Sequence, residues 1–201
     1  MDIYRAAGYP DGSDGVSPAS YVFDAMGGQI LMFSSVSGKW TCAKGIAPFG
    51  PDGATSCPMV NFAGSVGPFS GYTAMDFQGA LVGVFLEDTF RSPAPRASRF
   101  YAMTKSQGAI STGLSSSSQR VAMYVPLIGQ IFFIGDGVSG TGAGSTQFFT
   151  VPETATHLYI GYVDSCSATS SVPGCYADNE GTLTAVFRLV SPNKRKLFRP
   201  Y

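Results

Sequence analysis

Residues 150–188 read TVPETATHLYIGYVDSCSATSSVPGCYADNEGTLTAVFR. Two runs in this stretch, Thr156 to Val163 and Thr182 to Leu189, alternate apolar and polar residues with the period of two expected of half-buried strands. Between them lies a polar loop that holds Asp164, Asp178, Asn179 and two cysteines. Hard oxygen donors gathered between two strands suit a calcium ion, which takes about six to eight oxygens from carboxylates, amides, backbone carbonyls and water. The plainer reading of DNEG at 178–181 is a hairpin turn, because Asn and Asp tolerate left-handed backbone and glycine supplies positive φ. Two features favour the ion. Asp164 closes the preceding strand, and a Cys166–Cys175 clip would return the chain to the same place.

Outside this stretch the chain reads as scaffold. ILMFSSV after Gln29, ALVGVFL at 80–86 and MYVPLIGQIFFIG at 123–135 are apolar runs of strand type, the last read as a buried strand although Pro126 and Gln130 interrupt it. Glycine and proline are frequent, at 25 and 13 of 201 residues, and punctuate the chain between these runs. Apolar residues nowhere recur with a helical period over three turns. Short strands at close spacing predict an all-β antiparallel sandwich, with helix limited to short turns. The expected division is an extended N-terminal arm over 1–27, a sandwich domain over 28–190 and a basic tail over 191–201 that carries Lys194, Arg195, Lys196 and Arg199.

Charge and motif spacing exclude several function classes. Charged residues are 13% of the chain and cancel to a formal net charge of zero, so nucleic acid finds no electrostatic footprint. No run reaches the roughly 18 apolar residues that a membrane-spanning helix needs, and no basic, apolar leader opens the chain. Gly135, Gly137 and Gly140 satisfy GxGxxG, but a β-type run follows them where a dinucleotide site needs a helix N-terminus. DGSDG at 11–15 is a fragment of a calcium-loop pattern and reads as a turn. His157, the one histidine, alternates with Leu158 on a sheet face without a GxSxG elbow, so no enzyme is expected.

Four cysteines, Cys42, Cys57, Cys166 and Cys175, form two local pairs without CxxC spacing. Zinc does not fit that pattern. Their even number and Gly/Ser/Thr-rich surroundings favour disulfides Cys42–Cys57 and Cys166–Cys175, and with them an extracytoplasmic compartment, over four buried thiols.

The stretch VPGCYADNEGTLTAVF, with THLYIGYVD before it, resembles the calcium-binding segment of the LecA (PA-I) type galactose-binding lectins, whose pattern is a strand ending in Asp, then P-G-x-Y-x-N-N-x-G and a final strand. ALVGVFL resembles a strand of that family, and SGKW at 37–40 resembles the strand end that introduces its first calcium-side loop. The middle section, from LVGVFL to FFTVPETATHLYIG, is similar to the related domain of larger bacterial exported proteins. The resemblance implies a jelly-roll-like sandwich with one calcium whose open positions accept adjacent sugar hydroxyls. It implies as ligands Asp164, the Cys175 carbonyl, Asp178, Asn179 and a backbone carbonyl near Ala43. At such a site the ring of Tyr176 or Trp40 would pack on a sugar's apolar face if exposed. Asp178 stands where the family has asparagine, the loop after Asp164 is longer, and the galactose-holding histidine is unmatched, Cys57 or Pro58 falling near its place. Two function classes follow: a non-catalytic calcium-dependent carbohydrate-binding module for a galactose-like or other glycan, and a structural or accessory subunit that docks on protein partners with calcium as a staple.

Overall fold

The computed structural model describes residues 27–54, 79–87, 123–139, 142–162, 164 and 175–191, together with the backbone of 19–22, 62–63 and 72–73. Among the described residues the fold is almost entirely β. The strands are β1 (Ala19–Val22), β2 (Ile30–Thr41), β3 (Phe62–Ala63), β4 (Tyr72–Thr73), β5 (Val82–Leu86), β6 (Met123–Tyr124), β7 (Phe132–Phe133), β8 (Phe148–Thr150), β9 (His157–Gly161) and β10 (Glu180–Val190). One sheet runs β1-β9-β5-β7, a second runs β10-β2-β8-β6, and β3 pairs with β4. Every pairing is antiparallel except β6 with β8, which is parallel. The expected all-β sandwich is the observed architecture.

Aromatic side chains join the two four-stranded sheets. Phe132 on β7 meets Phe149 on β8 with ring centroids 5.2 Å apart, and Phe149 stacks on Tyr124 of β6 at the same separation. All five residues of β5 are buried, as a short apolar run bounded by turns requires. Gly83 on this strand is there for space: a Cβ would lie 2.6 Å from the Phe132 ring. Leu158 and Ile160 of β9 face inward between the less buried His157 and Tyr159, as the alternation predicts. His157 accordingly sits on a sheet face, its Nδ1 2.8 Å from Thr156 Oγ1.

Two expectations are corrected. Residues 123–135 are not one buried strand but two short strands in opposite sheets, with Met123, Val125 and Leu127 exposed. Pro126 lacks a ladder donor. Gly129 takes φ +73 and gives its N–H to Phe85 O, while Gln130 Oε1 accepts the Leu127 N–H at 2.7 Å, so the chain turns a corner there. The arm over 1–27 is also too long: Ala19–Val22 pairs with β9, Val22 opposite His157, and belongs to the sandwich. DGSDG and the basic tail lie outside the described residues. The glycine-rich segment is a turn as expected: Asp136 accepts the N–H groups of Val138 and Gly142, and β8 follows.

Candidate calcium and ligand site

The site is built where β10 begins against the end of β2. Among the described residues these strands form the longest ladder, Glu180 opposite Thr41 through Val190 opposite Ile30, with a bulge between Val186 and Phe187. Asn179 directly precedes Glu180 and so lies beside the point where the chain leaves β2 at Cys42. Glu180 N–H donates to Thr41 Oγ1 at 3.2 Å and fixes the entry into β10. Gly181 takes φ +113, and a Cβ there would run into the Lys39 carbonyl, so only glycine fits this crossing.

The loop arrives through a single 3-10 turn, Tyr176–Asp178. Cys175 precedes it in left-handed backbone (φ 59, ψ 30), the one described non-glycine residue with positive φ. Asp178 ends the turn, and Asn179 is extended (φ −80, ψ 132). DNEG is therefore the entry to a strand and not a hairpin. Tyr176 is buried and clasps the other side of the site: its hydroxyl accepts the Asp164 N–H at 3.1 Å and donates to Tyr162 O at 3.3 Å. Asp164, one per cent exposed, is thereby tied to the 175–179 segment although it follows a different strand.

Of the predicted oxygen donors, then, Asp164 is buried, Asn179 half-buried and Asp178 exposed. The Oδ1 and Nδ2 atoms of Asn179 are both buried without a hydrogen-bond partner. A buried amide left so costs about 1–3 kcal/mol, a cost that a ligand would relieve. The Ala43 carbonyl accepts the Ile46 N–H at 3.2 Å, which occupies one of its two lone pairs. Among the described residues no group of three or more His, Cys, Asp or Glu side chains could hold a metal. The predicted set does not have that form, since it draws on two carboxylates, one amide and backbone carbonyls.

The two aromatic residues expected beside a sugar are both buried. Trp40 and Tyr176 are 2% and 4% exposed, so neither offers a ring face at the surface. Trp40 stacks on Tyr162 with centroids 4.0 Å apart and donates Nε1–H to Gly79 O at 3.0 Å. Both are core residues that also line a cavity of about 230 Å3, together with Tyr162, Asn179, Glu180 and Thr182. Tyr162 and Thr182 are the additions that sequence reasoning missed. The signal for Tyr162 was available: it continues the inward alternation of Leu158 and Ile160. Its hydroxyl is buried without a partner, and burial raises its pKa well above the ordinary value, so the phenol stays neutral.

Cys42 and Cys175 are each disulfide-bonded, and no described cysteine is free. Cys57 and Cys166 lie outside the described residues, so the pairing stays an expectation. Compared with protein-family models, with curated proteins and with solved structures, the chain finds no match.

Proposed function

We propose that this protein is a non-catalytic, calcium-dependent carbohydrate-binding module, with Asp164, Asp178, Asn179 and the carbonyls of Cys175 and Ala43 as the oxygen donors. The observation that carries the reading is the unsatisfied Asn179 amide at a cavity that Tyr162, whose hydroxyl is also buried without a partner, helps to line. Hard, oxygen-only donors fit calcium better than a transition metal. Bound there, calcium would supply positive charge and open coordination positions for vicinal hydroxyls. Tyr176 orients Asp164, Gly181 lets β10 pass close to β2, and the disulfide at Cys175 limits the freedom of the loop. A polyol entering the cavity would meet Asn179 and Tyr162 between aromatic walls, the usual makeup of a small-ligand site. The jelly-roll connection and an extracytoplasmic location belong to this proposal.

A second reading is favoured by the burial of Trp40 and Tyr176: without a surface ring to stack on a sugar, calcium would act as a staple in a structural or accessory subunit. Thermal melts with calcium and with EDTA, followed by calorimetric titration with galactosides and other simple sugars, separate the two. Calcium at a hundredfold excess over its dissociation constant should stabilise the fold by about 2.7 kcal/mol, and Asn179→Ala should erase most of that gain. A wild-type melting temperature indifferent to EDTA rejects the site. Calcium stabilisation without heat from any sugar selects the staple.

A further inference from the structure

β10 is eleven residues long and, among the described residues, pairs only with β2, which leaves it at the edge of its sheet. Long exposed edges invite pairing with another strand, and natural proteins usually break them with charges, prolines or bulges. β10 contains no proline and only two charged residues, Glu180 and Arg188. The bulge in this ladder skips Ser34 on β2 and leaves β10 itself regular. Along β10 the even-numbered side chains are exposed and the odd-numbered ones from Leu183 onward are half-buried, so Glu180, Thr182, Thr184, Val186 and Arg188 share the outer face. Val186 is 51% exposed.

Backbone direction completes the picture. Glu180 N–H reaches Thr41 Oγ1, and the Val186 carbonyl accepts from Ser34 Oγ at 3.1 Å. Even-numbered residues therefore turn their peptide groups toward β2, and by the alternation of a strand Leu183 and Ala185 turn theirs to the open edge.

We infer that β10 pairs antiparallel with β10 of a second copy of this chain, with Thr184 on the two-fold axis, to give one continuous eight-stranded sheet. The charges select both the partner and the register. Glu180 and Arg188 lie four residues on either side of Thr184 and are opposite in sign, so this register sets each Glu180 against Arg188 of the partner subunit, twice over. It also sets Thr182 against Val186 of the partner subunit, which covers that exposed valine, and Leu183 against Ala185 of the partner subunit, where the open-edge peptide groups meet. Even-numbered residues then occupy the non-hydrogen-bonded positions, where Cα atoms approach to about 4.5 Å and side chains interact most. An isologous contact of this kind closes on itself and does not grow into a fibre.

Sedimentation equilibrium over a wide protein range tests this with charge reversals at exposed positions, folding being checked by circular dichroism. The wild type should show a monomer–dimer equilibrium. E180R and R188E should each weaken the dimer by about tenfold or more, because each turns both attractive pairs into repulsive ones. The double variant E180R/R188E restores opposite charges and should recover wild-type affinity. A wild type that stays monomeric at millimolar concentration overturns the proposal. So does a dimer indifferent to the single reversals, or one not rescued in the double variant.

Discussion

β5 and β10 belong to opposite sheets and meet solvent in opposite ways. β5 is five residues, all buried, flanked by β9 and β7 and filled with aliphatic and aromatic side chains. β10 is more than twice as long, nowhere fully buried, and alternates half-buried Leu183, Ala185, Phe187 and Leu189 with exposed neighbours. Among the described residues, Asn179, whose amide is buried without a partner, and Tyr162, whose hydroxyl is likewise, line one cavity where β10 begins. Apolar burial scales with area and needs no partner of special geometry, whereas a buried amide is costly until something bonds it. The contrast is thus between a strand closed off inside the core and a strand whose first residues line a cavity.

The contrast breaks most directly at Phe85. This side chain is fully buried and stacks on Phe132 with centroids 5.0 Å apart. Phe85→Ala should cost about 3–5 kcal/mol, a large part of the stability of an ordinary domain. Urea denaturation measures it, and a loss below about 1 kcal/mol would remove β5 from its place as the stabilising centre.

Tyr176→Phe probes the polar corner with a smaller effect. Losing the hydroxyl leaves the Asp164 N–H and the Tyr162 carbonyl without this partner, at an expected cost of about 1–3 kcal/mol. Because the same hydroxyl holds Asp164 in place, calcium affinity should fall too, read by calorimetry. Unchanged stability together with unchanged affinity would dissolve the link between Asp164 and the 175–179 segment.

Tyr162→Phe should do the least at neutral pH, because the hydroxyl it removes is buried and unpartnered, and deleting such a group is neutral or slightly stabilising. Its effect emerges in alkali. Burial raises the folded pKa above 10.0, so above that pH the folded state holds a proton that the unfolded state gives up. The contribution is complete below the unfolded pKa and is lost as pH rises past it. Wild-type stability should therefore decline more steeply above pH ~10 than that of Tyr162→Phe. Parallel pH curves for the two proteins would show that the phenol titrates normally.

Residues 123–135 show how far local pattern reaches. Their composition announces apolar burial, which Ile131, Phe132, Phe133 and Ile134 bear out. Nothing in that composition tells whether the run crosses one sheet or bridges two, because the decision rests on Gly129 bonding Phe85 and on Gln130 folding back on Leu127. Trp40 and Tyr176 teach the same lesson at the site. An aromatic beside a predicted ligand loop has the same letters whether it faces a sugar or the core.

What the amino-acid order determined is what has a period or a steric requirement. The alternation read over 156–163 and 182–189 lies on β9 and β10, and the apolar run of β5 and the glycine-rich turn before β8 appear as read, because strand side chains alternate and positive φ belongs to glycine. The tertiary structure alone decided which strands become neighbours, which rings turn inward and which polar atoms end without partners. Those outcomes depend on contacts between residues far apart in the chain, such as Tyr176 with Asp164 and Trp40 with Tyr162, whose formation no local period encodes.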